Sequence, residues 1–231
     1  MRFAAIETST EWCSVALSID GETLGTEERA GTRASERVLP MLQDLLERAG
    51  LAARDLEAVA FGSGPGSFTG LRIACGVAQG LASARELPVI GISTFEAIAE
   101  ESGAPRVLVC VDARMGEVYY SAMEICPSPQ DRRAWREVVA ASCVPPSTVV
   151  PPRDGSWLGC GSGFASYAED LRAGFGEVLS GVRPDVYPSA SAVARLALPR
   201  LQAGEGADPA LAAPVYLRDK VALTKAEQPR R

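Results

Sequence analysis

The 231-residue sequence contains no histidine. A Ser-His-Asp triad, a Cys-His dyad and an H-E-x-x-H zinc site all need an imidazole, so this chain cannot form any of them alone. Lysine is also scarce, because only Lys220 and Lys225 occur. A Walker A loop needs a lysine directly after its last glycine, and here Leu71 follows Gly70. A P-loop nucleotide site is therefore excluded.

The sequence has no paired cysteines. Its six cysteines are scattered, and none forms a C-x-x-C pair. We interpret them as buried, reduced thiols and expect no metal site. The six are Cys13, Cys75, Cys110, Cys126, Cys143 and Cys160.

Long apolar runs and a signal-like N-terminus are both missing, which predicts a cytoplasmic protein without a membrane segment. The net charge is -6 and the pI about 4.9, so direct binding of tRNA by this chain alone is not expected. The best local candidate for such binding is the basic segment 131–136, which we interpret as a solvated loop with a partly buried Trp135. The polar tail after Ala222 is expected to be mobile.

The most informative segment present is the glycine-rich stretch 62–72, Gly-Ser-Gly-Pro-Gly-Ser-Phe-Thr-Gly-Leu-Arg. It follows an apolar strand, Ala58 to Phe61, and precedes a predicted helix from Leu71 to Arg85. Glycine-rich turns between a strand and a helix often bind anions at the helix N-terminus. The spacing does not match G-x-G-x-x-G, which excludes a dinucleotide fingerprint. The turn either holds a phosphate or forms a tight corner.

The chain is predicted to consist of two similar α/β halves. The first half shows three strands, with a hairpin at Asp20-Gly21, followed by alternating helices and strands. Its first helix, capped by Ser35 or Glu36, has clean 3.6-residue periodicity and stops at Gly50. After a break at 102–105, a strand, a polar turn and a strand appear again. The Pro-rich segments 126–130 and 143–152 are interpreted as loops. We therefore predict an N-terminal lobe over 1–103 and a smaller, more irregular lobe over 104–231.

In the helix after the glycine turn, alanine or glycine occupies every second position from Ala74 to Ala84. Gly76 and Gly80 lie one helical turn apart, and each glycine costs about 0.5–1 kcal/mol relative to alanine. Such a face indicates that another backbone packs closely against it. The neighbour is either a helix of the same domain or a helix of another subunit, and both interpretations stay open.

Four segments together resemble the TsaB (YeaZ) family. They are Ile6-Glu7-Thr8-Ser9-Thr10, the block 64–72, Asp112-Ala113-Arg114-Met115-Gly116-Glu117-Val118-Tyr119, and Tyr216-Leu217-Arg218-Asp219. They occur in the family's order and span almost the whole chain, and the long glycine block is the specific one. The resemblance implies the two-lobed α/β fold of actin, Hsp70 and sugar kinases, a ribonuclease H-like duplication in which each lobe is a mixed sheet flanked by helices.

The resemblance also implies a function in making N6-threonylcarbamoyladenosine (t6A) at position 37 of ANN-decoding tRNAs. A family member is a non-catalytic partner of the TsaD catalytic subunit, joined by the ATPase TsaE, and forms homodimers when alone. It reaches tRNA only through the complex and has no cofactor of its own, with ADP or ATP expected at or near the partner interface. Residues matched to the partner-binding surface are Val38, Leu39, Leu42, Leu45, Leu46, Ala74, Gly76, Val77 and Gly80. Candidate nucleotide contacts are Glu7, Thr8, Ser9, Gly64, Gly66, Ser67 and Gly161.

Two positions depart from the family pattern. Glu7 stands where active members of the superfamily carry an aspartate that positions metal-bound water, and Ala34 stands where many relatives carry histidine. The alternative function is a small-molecule kinase or ATPase that uses Glu7, Asp112 and the glycine turns. A peptidase with Ser67 or Thr69 as nucleophile is a third hypothesis, weakened by the lack of a nearby base.

Overall fold

Two five-stranded sheets with flanking helices form the chain in a computed structural model, which describes residues 1–126 and 134–218. The first sheet has the order β3-β2-β1-β4-β5 and the second the order β10-β9-β6-β7-β8. The strands are β1 (Arg2–Glu7), β2 (Trp12–Ile19), β3 (Glu22–Arg29), β4 (Ala58–Gly64), β5 (Val89–Ser93), β6 (Arg106–Arg114), β7 (Glu117–Cys126), β8 (Ala134–Val144), β9 (Trp157–Cys160) and β10 (Leu179–Arg183). The helices are α1 (Ala34–Arg48), α2 (Phe68–Ser83), α3 (Thr94–Ser102), α4 (Gly163–Ser166), α5 (Ala168–Phe175) and α6 (Ala190–Gln202).

The second sheet repeats the topology of the first. In each sheet the first three strands form an antiparallel meander, and two further strands add in parallel beside the first strand. Read from β8 to β10, the second order matches the first read from β3 to β5. The predicted duplication is confirmed. Connections that pass through helices place the carboxyl ends of the parallel strands at one edge, where ligands bind in open α/β sheets.

Both faces of the first sheet are covered. Helices α1 and α2 pack on one face over Val15 and Leu17, as the alternation in β2 predicts. Helices α3 and α6 pack on the other face, where Ser14 Oγ accepts a 2.8 Å hydrogen bond from the backbone N–H of Ala190 at the start of α6. A sheet buried on both faces needs such partners for its polar side chains.

The two sheets share one hydrophobic core. Helix α3 contacts strands of both sheets, and the cluster around it joins Phe3 and Ala60 of the first to Val109 and Met123 of the second. Helix α6, although late in the chain, packs on the first sheet. The shared core resists hinge motion between the sheets, because separating them exposes this apolar surface. The predicted lobe boundary at residue 103 stays a prediction.

Several element boundaries differ from the sequence prediction. Helix α2 begins at Phe68 rather than Leu71, with Ser67 as its N-cap, and α1 begins at Ala34 after Arg33, which provides no side-chain cap. The side chains of Ser93 and Ser189 cap the N-termini of α3 and α6. The proline-rich segment from Cys143 is a loop only after Val144, because β8 extends to that residue. In the predicted loop 126–130, Cys126 is instead the last residue of β7. Residues 127–130 and the tail after Ala222 lie outside the described residues.

Candidate functional site

The glycine turn between β4 and α2 is packed against the end of β1. Ser67 N donates a 2.7 Å hydrogen bond to Ser9 O, and the Thr8 hydroxyl donates one of 2.7 Å to Gly70 O. A Cβ at Gly66 would lie 2.6 Å from Ser9 O, and one at Gly70 would overlap Thr8 O. Ser67 also accepts a 3.3 Å bond from Gly70 N, as an N-cap should. These glycines are therefore required by close approach of two backbone segments.

Glu7 lies buried beneath this turn. Its Oε1 accepts a 2.5 Å hydrogen bond from Ser9 N, whereas Oε2 has no hydrogen-bond partner among the described residues. A Cβ at Gly62 would overlap Oε2, so glycine is needed there. Desolvation by burial raises the pKa of Glu7 above its ordinary value of 4.5, opposed in part by the hydrogen bonds from Ser9. Burial of this carboxyl group therefore disfavours its charged form.

A cleft of about 820 Å³ opens between the two sheets. One wall consists of the start of α2 and the turn after β1, including Ser9 and Ser67. The opposite wall consists of the β6–β7 hairpin and the start of α4, including Asp112 and Ser162. Glu7 is not among the described residues that line the cleft. The metal-binding role that the kinase hypothesis gives to Glu7 therefore requires a rearrangement of this corner.

Asp112 is the centre of a hydrogen-bond network on the second wall. Its carboxylate accepts bonds from Arg114 N at 2.8 Å, Ser166 Oγ at 3.1 Å and Tyr167 OH at 3.3 Å. Its own N–H donates to Ser162 Oγ at 3.1 Å. A carboxylate occupied in this way fixes the hairpin to α4, which is a structural task. Of the residues described, no group of three or more Cys, Asp or Glu side chains is arranged to hold a metal.

Only four of the seven predicted nucleotide contacts line the cleft. Thr8, Ser9, Gly66 and Ser67 line the cleft, as predicted for residues that face a ligand. Glu7, Gly64 and Gly161 do not. Gly64 packs against Val215 O, and a Cβ at Gly161 would lie 2.5 Å from Cys110 O. These two glycines therefore serve backbone packing, and nucleotide binding by the first four stays a prediction.

The structure also corrects part of the predicted partner surface. Five of its nine residues are buried in this chain's own core, because the apolar periodicity of a helix marks the face toward its own sheet. These five are Val38, Leu42, Leu45, Leu46 and Ala74. Leu39 is 51% exposed, Gly76 and Gly80 are exposed, and Val77 is half-buried. We call Gly76, Val77 and Gly80 the open face of α2.

Gly76 and Gly80 point away from the rest of the chain. Outside their own helical neighbourhood, no described residue lies within 4 Å of a Cβ built at either position. The interpretation that these glycines contact another helix of the same domain is therefore wrong for the described residues. Neither glycine has a positive φ, so backbone conformation does not require them. Neither packing against the described residues nor backbone conformation accounts for the two helical glycines.

A C-terminal segment, residues 207–218, contributes two residues to the cleft. Tyr216 and Arg218 line the cleft, Tyr216 beside Phe68 of α2 with a ring separation of 5.5 Å and Arg218 beside the β6–β7 hairpin. The sequence indicates this segment only through the family motif around Tyr216. No periodicity could have revealed it, because its contacts are more than a hundred residues away in sequence.

The six cysteines are all free thiols. Cys13, Cys75, Cys110 and Cys160 are buried free thiols, whereas Cys126 and Cys143 are half-buried. Burial raises the pKa of Cys13 to about 11 and that of Cys160 to about 12, so both favour the thiol form.

In the basic segment 131–136, residues 131–133 lie outside the described residues. Trp135 is buried and donates a 3.2 Å bond to Glu100, while Arg136 pairs with Glu124 at 2.8 Å. Through residues 1–126 and 134–218, no helix is both long and apolar enough to cross a membrane.

Two duplicated mixed sheets with flanking helices and a cleft between them define a two-lobed α/β protein of the actin, Hsp70 and sugar-kinase class. The model of the family "TsaD: tRNA N6-adenosine threonylcarbamoyltransferase" matches residues 28–226. The chain is 38% identical to the tRNA threonylcarbamoyladenosine biosynthesis protein TsaB of Escherichia coli, over 97% of this chain and 98% of that protein. It is also 38% identical to TsaB of Haemophilus influenzae over 71% of this chain and 73% of that one.

The solved structure of YeaZ from Pseudomonas aeruginosa superposes with a TM-score of 0.84 at 38% identity, covering 94% of this chain and 99% of that one. A second Pseudomonas aeruginosa structure, an uncharacterized protein with similarity to peptidase YeaZ, gives 0.85 at 37% identity, with the same coverage. The chain belongs to the TsaB (YeaZ) family.

Proposed function

We propose that this chain is a non-catalytic subunit that binds and activates a TsaD-like catalytic subunit in t6A formation at position 37 of ANN-decoding tRNAs. In this proposal it acts in the cytoplasm, pairs with itself when alone, and works with a TsaE-like ATPase. It reaches tRNA only through the complex, consistent with its net charge of -6. The relatives named as TsaB proteins support the pathway, since the Escherichia coli one is matched over nearly its full length.

The open face of α2 is the observation that carries the partner-binding part of the proposal. Gly76 and Gly80 lower the intrinsic stability of α2 and contact no described residue of another element. Small residues one helical turn apart let a second helix approach closely, which offsets the cost when a partner is present. Val77 lies between the two glycines in the sequence and is half-buried, and Leu39 of α1 is a further exposed apolar side chain. A helix of the catalytic subunit, or of a second copy, fits this shape.

The corner around Glu7 supports a non-catalytic role. Glu7 is buried and does not line the cleft, whereas Asp112 does line it, with its carboxylate already occupied by hydrogen bonds from Arg114 N, Ser166 Oγ and Tyr167 OH. We propose no cofactor for the chain itself. ADP or ATP, in this proposal, binds at or near the partner interface, because Phe68 to Gly70 at the start of α2 border the cleft and continue into the helix that carries the open face.

Two measurements test this proposal. Purified tRNA is incubated with the cognate catalytic subunit, the ATPase, threonylcarbamoyl-AMP-generating enzyme and substrates, with and without this chain, and t6A is quantified by mass spectrometry. We expect modification only when the chain is present. Modification at equal rate without it would refute the activating role, and activity of the chain without the catalytic subunit would refute the non-catalytic one.

The binding surface is tested with Gly76→Leu/Gly80→Leu, which places two isobutyl groups on the open face. Because a helix partner can no longer approach, we expect co-purification with the catalytic subunit to be lost while the chain stays folded. The matched control is Glu169→Leu/Ala173→Leu, which adds leucines at the same spacing on the exposed side of α5. Normal binding by the glycine double variant would place the interface elsewhere.

A further inference from the structure

The segment 207–218 runs across the first sheet and ends on the second. It begins with Ala207, which exchanges two 2.9 Å backbone hydrogen bonds with Val89 of the edge strand β5. It then crosses α2, where the Gln79 side chain donates to Pro209 O at 3.2 Å and to Ala212 O at 3.1 Å. The Cys75 thiol also contacts Ala212 O, at 3.5 Å. Through Cys75 and Gln79, the segment is therefore attached to α2, the same helix that carries the open face.

Further along, the segment grips the start of α2. Val215 N donates a 2.7 Å bond to Ser63 O in the glycine turn. The Tyr216 hydroxyl accepts a 3.1 Å bond from Arg72 Nε, while the Arg72 guanidinium lies 3.9 Å from the centre of the Phe68 ring. This layered group of an arginine and two aromatic rings combines cation–π and ring contacts. It attaches the segment to the first wall of the cleft.

The segment ends on the opposite wall. Arg218 forms an ion pair with Glu117 and donates a 3.2 Å bond to Arg114 O, and its side chain is only 15% exposed. Arg218 Nη1 also lies 3.8 Å from Met115 Sδ. These contacts meet the tip of the β6–β7 hairpin, which joins the cleft wall that carries Asp112.

The hairpin tip needs external support. Arg114 and Met115 adopt left-handed backbone conformations, with φ of 61° and 57°. Side chains other than glycine, asparagine or aspartate rarely adopt this conformation, and it persists only where surrounding contacts hold it. Among the described residues, Arg218 touches both. Its contacts are therefore suited to keep the tip in place.

We infer that residues 207–218 form a strap that ties α2 to the β6–β7 hairpin, so that the two walls of the cleft are mechanically coupled through Gln79 at one end and Arg218 at the other. The strap itself does not depend on the proposed function. The use of the strap does rest on the proposed function. A partner bound to the open face of α2 changes the mobility of the β6–β7 hairpin through the strap. Arg218 is a positioning residue in this scheme.

Hydrogen–deuterium exchange of the full chain, followed by mass spectrometry, tests the strap without any partner. Arg218→Ala should accelerate exchange of residues 112–118 roughly tenfold, the change expected when a charge-assisted hydrogen bond between partly buried groups is lost. Gln79→Ala removes two hydrogen bonds between α2 and the strap and should accelerate exchange both in 208–216 and, by a smaller factor, in 112–118. Exchange in β1 and β4, in the core of the first sheet, should stay at the wild-type rate and serves as the folding reference.

The control is Arg136→Ala, which removes another arginine–glutamate pair of β7 at Glu124, away from the hairpin tip. It should leave 112–118 unchanged. An unchanged hairpin in Arg218→Ala overturns the inference, particularly if Ser166→Ala accelerates it, since the Asp112 network then holds the tip alone. If Gln79→Ala accelerates exchange only in 208–216, the inference is also overturned, because the loss of contacts between α2 and the strap then has no effect on the hairpin. No outcome depends on a catalytic subunit, so failure here is distinct from failure of the proposed function.

Discussion

Replacing both glycines of the open face by alanine should stabilise the isolated chain. Glycine in a helix interior is about 0.8–1.0 kcal/mol less favourable than alanine. Part of this difference arises in the unfolded chain, where glycine has more freedom to lose. A Cβ at Gly76 or Gly80 meets no described residue outside its own helical neighbourhood, so no steric cost opposes the gain. The two substitutions together should add about 2 kcal/mol to the free energy of unfolding.

The assay is thermal unfolding followed by circular dichroism or calorimetry. For a chain of this length, 1 kcal/mol corresponds to a shift in Tm of roughly 2–4 °C, so the double variant should melt about 4–8 °C higher. Self-association complicates the measurement, because a dimer that uses the open face is stabilised by mass action. Melting must therefore be recorded over a range of protein concentrations, with sedimentation to determine the species present. The gain is expected for the monomer at low concentration.

A lower Tm of the double alanine variant would contradict this prediction. If the double alanine variant melts lower than the wild type at every concentration, including those at which sedimentation detects monomer alone, the two positions are covered within the monomer. The glycines would then serve intramolecular packing, and the open face would not be open. The variant could instead have a more stable monomer and bind a second copy or the catalytic subunit more weakly. That result would show that the glycines lower the stability of the monomer but favour a contact between chains.

Three further predictions concern the corner beneath the glycine turn. Because burial raises the folded-state pKa of Glu7, its contribution to stability is full below about 4.5 and is lost as the pH rises toward the raised value; chemical unfolding between pH 4 and 8 should show this decline in the wild type and not in Glu7→Gln. Gly62→Ala should cost about 1–3 kcal/mol through overlap with Glu7, and Glu7→Ala should relieve part of that cost in a double-mutant cycle measured by urea unfolding; additive effects would mean no contact. Thr8→Val should cost about 1 kcal/mol in the same assay by removing the bond to Gly70 O, and an unchanged midpoint would show that this bond contributes nothing.

The strands of the first sheet, including its edge strands β3 and β5, were predictable from the sequence, whereas the two edge strands of the second sheet were not. Strands β1 and β4 are buried on both faces and appear as continuous apolar runs. Strand β8 lies at the edge of the second sheet, with most of its side chains exposed or half-buried, and lacks the alternation that marks a one-sided strand. Strand β10, at the other edge, contains Ser180 and Gly181 and is equally featureless. An edge strand needs less apolar surface, so its sequence is less constrained.

The site was predictable only in part, because the sequence indicates which residues share a helix face but not where that face points. The small residues of α2 alternate along the sequence, and the fold separates them: Ala74, Ala78 and Ala82 face the first sheet with no exposed surface, while Gly76 and Gly80 face outward. The apolar positions of α1 were assigned to a partner when most of them form the core. The strap was not predictable at all, since its contacts join residues distant in sequence.

The glycine turn illustrates why a motif typical of ligand binding does not by itself imply a ligand. Gly62, Gly66 and Gly70 each lie against an atom of the segment Glu7 to Ser9, so protein packing alone accounts for all three. The same contacts determine where α2 begins, since Ser67 is both its N-cap and the donor to Ser9 O. A corner this constrained leaves α2 little freedom to rotate about its axis. The orientation of the open face is therefore set by the β1 turn, and substitutions at Thr8 or Gly62 should weaken partner binding without touching the partner.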